Sequence, residues 1–79
     1  MVDNWDSQDS KSWLRNRLKE LDIKSLDQLS EISGIDPGSI SRYFSQERRP
    51  SIDVVEPLSK ALNVSTDELL RVLGAKREY

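Results

Sequence analysis

The stretch Ser25–Arg49, SLDQLSEISGIDPGSISRYFSQERR, holds two helix starts with one helix stop between them, and its reading decides the fold. Ser25 followed three residues later by Gln28 has the pattern of a capping box, in which the two side chains satisfy free N–H groups in both directions, so a helix is predicted to begin at Leu26. Leu29 and Ile32 sit at helical spacing and are expected to face inward. Gly34 follows at the position where a left-handed residue ends a helix with least strain. The second start is Asp36-Pro37, an acceptor side chain ahead of a proline whose fixed φ and missing N–H suit the first helical position. Ile35 before that cap and Ile40 four residues after it can form a hydrophobic staple, which sets the angle at which the chain enters the next helix. That helix is predicted from Pro37 to about Ser45. Its connection to the preceding one, Ser33 to Asp36, is a short turn containing glycine.

Working outward toward the N-terminus, Leu14, Leu18 and Leu21, with Trp13 beside them, place one apolar stripe on a helix from about Ser10 to Leu21. Toward the C-terminus, Arg48-Arg49-Pro50 is not expected to be helical, because a residue before proline avoids the α region. Ser51 can then cap a fourth helix carrying Val54, Val55, Leu58, Ala61 and Leu62. Pro57 inside it removes one backbone hydrogen bond and crowds the carbonyl of Asp53, at about 3 kcal/mol in a regular helix. Either a kink or a late start would accommodate it. Ser65-Thr66-Asp67-Glu68 is a second capping box with Val64 and Leu69 as its staple, and Leu69, Leu70, Val72 and Leu73 make the apolar side of a fifth helix that Gly74 ends. No segment has the period-two alternation of a strand. The expected fold is all-α with five short helices spanning 10–74, flanked by loose segments at 1–9 and 75–79.

The 79-residue chain is expected to form one domain, and a domain of that size buries only a little over 60% of its unfolded surface. It contains neither Cys nor His, which removes disulfides, thiolate metal sites and the commonest zinc ligands. No cofactor is implied, and without a glycine-rich phosphate loop or a nucleophile with its base, no enzyme either. No apolar run approaches the ~18 residues needed to cross a bilayer, and Met1 to Ser10 is acidic and polar, unlike a signal peptide. A cytoplasmic protein is expected. The net charge is −2, but it is unevenly spread: residues 37–51 carry three bases and one acid and form the only net-positive segment of the three, while 1–36 and 52–79 are net-negative.

Two helices joined by a short glycine-containing turn form a helix-turn-helix, in which the second helix lies in the major groove of double-stranded DNA and reads base edges. With Ile40 and Tyr43 turned inward, the outward face of that helix is Pro37, Gly38, Ser41, Arg42 and Ser45. Arg42 alone carries the fork of donors that matches the two acceptors of guanine. Ser41 and Ser45 reach less far, and Pro37 and Gly38 offer only close approach or an apolar contact. Arg48 and Arg49 just beyond the helix, and Ser25, Gln28 and Ser39 near helix starts, are candidate phosphate contacts.

The run LDQLSEISGIDPGSISRYFSQERRPSIDVVEPLSKALNVSTDELL resembles the lambda repressor and Cro family of helix-turn-helix domains, also called the xenobiotic-response-element family. The likeness spans Trp13 to Leu73 and rests on the Leu29 to Gly34 block, Ile40-Ser41-Arg42, Arg49-Pro50-Ser51 and Leu58 to Val64. It implies a five-helix domain that binds operator DNA, commonly as a homodimer on a palindromic site, and that usually represses transcription. Several positions depart from the family pattern. Ser30 replaces a small Ala, and Leu26 replaces a Gln that often binds phosphate. Phe44 replaces a frequent Glu, so that an aromatic is either partly exposed or packed in a dimer contact. Gln46 stands where a Gly commonly follows the recognition helix. Helix 5 and the aromatics Trp5, Phe44 and Tyr79 are the candidate dimer contacts. The competing reading is a protein-interaction module of the same fold, such as an antitoxin, with weak or secondary DNA binding.

Overall fold

The computed structural model describes residues 6–74, in five helices: α1 (Ser7–Glu20), α2 (Leu26–Ser33), α3 (Pro37–Phe44), α4 (Ile52–Leu62) and α5 (Thr66–Val72). No strand occurs among the described residues. The helices close a ring around the core: α2 packs on α3 and α4, α4 on α5, and α1 on both α5 and α3. Leu14, Ile23, Leu29, Ile40, Tyr43, Phe44, Val55, Leu58, Leu62, Leu69, Val72 and Leu73 fill the centre, so every helix contributes to one core.

The start signals act where they were read, with changes of detail. The side chains of Ser25, Asp36 and Ser65 accept from the N–H groups of Gln28, Ser39 and Glu68 at 3.2, 3.1 and 3.0 Å. The Gln28 side chain does not return to Ser25; its Oε1 accepts from Lys24 N at 2.7 Å, so it holds the approach to the helix rather than its cap. Ser51 makes no side-chain cap bond, and α4 nonetheless begins at Ile52 and continues through Pro57, so the proline causes no late start. α1 begins three residues before the predicted Ser10. Asp6 and Asp9 form a reciprocal capping box there, with Asp9 N donating to Asp6 Oδ1 at 2.9 Å and Asp6 N to Asp9 Oδ2 at 3.3 Å. Residues 7–9 therefore belong to its first turn, while 1–5 and 75–79 lie outside the described residues.

Three helices end without glycine. After α1, Asp22 has φ 59°, its N–H bonds Lys19 O and the Ile23 N–H bonds Leu18 O; Gln46 after α3 (φ 63°) and Asn63 after α4 (φ 58°) repeat this double closure. In each, two free carbonyls of the last turn are satisfied, and the residues that follow Asp22 and Asn63, Ile23 and Val64, pack on the core. Gly34 (φ 78°) ends α2 as expected. Ile32 does not face inward: Gly34 turns the chain away two residues later, and the side chain stays 54% exposed.

Candidate nucleic-acid interface

The geometry of the candidate interface begins with what holds α3 in place. Ile40, Tyr43 and Phe44 are buried, and the Phe44 ring stacks on Trp13 of α1, with centroids 6.3 Å apart and planes 8° from parallel. Phe44 is 1% exposed. It is therefore a core residue and neither a surface aromatic nor a dimer contact, because α1 covers the face of α3 on which the sequence pattern left it open. Trp5 and Tyr79, the other aromatic candidates for a dimer contact, lie outside the described residues.

A second attachment joins the end of α3 to both α1 and α5. Gln46 Nε2 donates to Ser10 Oγ at 2.9 Å, and the buried Ser10 hydroxyl donates in turn to Val72 O. The left-handed backbone at Gln46 points its side chain into this junction. Gly74 makes room for it: a Cβ there would stand 2.8 Å from Gln46 Nε2. A third clamp is Arg17, whose guanidinium donates to Leu62 O at 2.9 Å and Asn63 O at 3.0 Å while pairing with Glu20 at 2.8 Å. It satisfies carbonyls at the end of α4 that have no helical partner. The two polar links are not legible in the sequence, since each joins residues 36 or more apart with no local pattern to mark them. Spacing marks Ser10 only as a helix start, and no local signal sets Arg17 apart from the other bases of α1.

On the opposite side of α3 the candidate readers come to the surface. Gly38, Ser41 and Arg42 are exposed, and Pro37 and Ser45 are half-buried. Arg42 Nη1 lies 3.8 Å from where a Cβ on Gly38 would stand, so the arginine runs back along α3 over the glycine. The two residues thus make one spot, a guanidinium with open backbone beneath it. Ser45 Oγ donates to Arg42 O at 3.1 Å, which turns that hydroxyl toward its own helix. Arg48 and Arg49 are exposed in the loop between α3 and α4, whose first residues are fixed by Glu47 N donating to Arg42 O at 2.9 Å. Ser25 is exposed with its hydroxyl engaged by Gln28 N, and half-buried Ser39 has its N–H held by Asp36. Two surfaces therefore emerge: Pro37, Gly38, Ser41 and Arg42 along α3 with Arg48 and Arg49 past its end, and Ser25 and Gln28 at the start of α2.

No helix among the described residues is long and apolar enough to cross a membrane, and no group of three or more His, Cys, Asp or Glu among them could hold a metal ion. A protein-family model described as Helix-turn-helix matches residues 14–69, from Leu14 in α1 to Leu69 in α5. Neither a curated protein nor a solved structure matches the chain.

Proposed function

The chain belongs to the helix-turn-helix family, of the lambda repressor and Cro-like type, and from that premise we propose that it reads operator DNA in the major groove with α3 and represses transcription. The family is one of DNA-binding regulators and not of enzymes. One observation carries the finer reading: α3 is held from behind by three core residues, while its exposed side presents Arg42 over a bare Gly38. Arg42 is assigned to a guanine through its O6 and N7 acceptors, Ser41 and Ser45 to shorter contacts, and Pro37 and Gly38 to close approach. Arg48, Arg49, Ser25, Gln28 and Ser39 are assigned to phosphates, the two arginines foremost because the other three side chains or their backbones already serve caps.

One such helix covers only a few base pairs, so specificity on a genome calls for a homodimer on two half-sites about one helical turn apart. A domain seated in the groove excludes other proteins from the same stretch, which makes repression the expected sign, and its place of action is the cytoplasm. The test is selection from a random duplex library at rising salt. Enrichment of a short, paired half-site that Arg42→Ala weakens supports the reading. No enrichment even at low salt would overturn it and leave the protein-interaction module.

A further inference from the structure

Beside the reading face, a groove of about 280 Å³ runs between α1, the start of α2 and α3. Its floor is Leu14, Leu18, Leu26 and Phe44; its rim is Lys11 and Arg15 of α1 and Ser41 of α3, with no acid in the lining. Lys11 and Arg15 are exposed, four residues apart on one helix face, and no acid pairs with either among the described residues. Two like charges at that spacing repel one another across a turn of the helix. Taken along the chain, residues 1–36 are net-negative, yet α1 by itself carries four bases and two acids. The acids that mask this in the linear count lie largely in caps, turns and α2, so the folded chain exposes a positive ridge that the sequence window concealed.

We propose that Lys11 and Arg15 grip the phosphate strand that borders the groove occupied by α3. This rests on the reading of α3 as the DNA-facing helix. The ridge adjoins Ser41 on the side of α3, whereas Arg48 and Arg49 follow its end, so the helix is bracketed by cations on two sides. Cβ atoms four apart on a helix are separated by ~5–6 Å, a spacing on the scale of neighbouring phosphates of one strand. The ridge also moves with the reader. The Trp13–Phe44 stack and the Ser10–Gln46 bond lock α1 to α3, so the two cations hold a fixed position relative to Arg42 before DNA arrives.

The test measures binding of the full chain to the duplex that the parent protein enriches, across salt from about 50 to about 200 mM. Lys11→Gln and Arg15→Gln keep helix propensity while removing charge. Each is expected to lower affinity by roughly tenfold at 0.1 M salt and to reduce the slope of log K against log salt by about 0.9, the pair together by about twice that, with the selected half-site unchanged. Lys60→Gln on α4 is the charge control and is expected to leave both quantities as they were. A folded double variant with the parent's slope overturns the ridge as a phosphate contact while leaving the reading of α3 intact. Altered half-site preference in the double variant would also overturn it, by assigning these side chains to bases. A parent that enriches no duplex overturns both.

Discussion

The two faces of α3 differ in how many partners fix them. The inner face meets Trp13 through Phe44 and sets Ile40 and Tyr43 in the core shared by all five helices, and the turn that follows it is tied through Gln46 to α1 and α5. The outer face has one long side chain, Arg42, lying over a glycine. Position is therefore determined by many contacts and recognition by few. A substitution on the outer face should leave stability nearly untouched, and the largest effects belong to the inner face.

Phe44→Ala is the severest break. It removes a fully buried, stacked ring, and such truncations cost about 3–5 kcal/mol, against a total stability for a domain of this length of about 4–12 kcal/mol. Urea unfolding followed by circular dichroism is expected to find the variant largely unfolded or with its midpoint lowered by about a quarter or more. A loss below about 1 kcal/mol would mean that α1 does not clamp α3 through this ring.

Arg42→Ala should do the reverse. Stability is expected to stay within about 0.5 kcal/mol of the parent, while affinity for the selected operator falls by about 1–3 kcal/mol, or roughly fivefold to more than a hundredfold, and discrimination relaxes at one base pair. A uniform loss across all sequences would reassign Arg42 to a phosphate.

Gln46 tests how the junction is built. Alanine there keeps a left-handed backbone without a side chain to reach Ser10, and is expected to lower stability by about 1–2 kcal/mol. Glycine loses the same hydrogen bond but relieves the backbone, so it should be the more stable of the two by about 1 kcal/mol. Equal midpoints for the two variants in thermal unfolding would remove backbone conformation from the account.

The two faces also differ in how far the sequence reveals them. The caps at Ser25, Asp36 and Ser65, the stop at Gly34 and the inward set Leu29, Ile40 and Tyr43 are local patterns, each decided within a few residues, and the structure keeps them. The contacts that orient α3 are not local. Ser10, Gln46 and Val72 meet, and Arg17 reaches Leu62 and Asn63, only because five helices close a ring, and stops made by Asp22, Gln46 and Asn63 escape a reading that looks for glycine. Phe44 shows the same limit from the other side: its spacing is compatible with exposure, and only α1 crossing α3 decides that it is buried. Ile52 resists the core in the opposite sense, 79% exposed at the first position of α4, where nothing packs beyond the helix start. For the reading face, residue types and helical spacing mark the candidates, but how Arg42 lies over Gly38 depends on side-chain direction, which spacing alone does not give.

Gly38→Ala carries the smallest expected effect and the finest test of the separation between the faces. Its φ is not left-handed, so alanine meets no backbone strain, and the added Cβ would approach Asp36 Oδ2 at 3.0 Å and Arg42 Nη1 at 3.8 Å. The first contact is tight, but Asp36 is exposed and its carboxylate can yield by a few tenths of an ångström while keeping its 3.1 Å bond to Ser39 N. Alanine also lowers the entropy of the unfolded chain, an advantage of about 0.4–1 kcal/mol at sites that accept it. The net expectation is a gain of a few tenths of a kcal/mol, seen as a slight rise in the thermal midpoint. On DNA the methyl stands under Arg42 on the face that approaches the base edges, so operator affinity should fall a few-fold. A loss of stability near 1 kcal/mol would mean that the methyl breaks the Asp36 cap, which typically contributes about that much, and that the outer face is coupled to the fold after all. An unchanged operator affinity would mean that the backbone at Gly38 does not come close to the bases, leaving Arg42 to reach them alone.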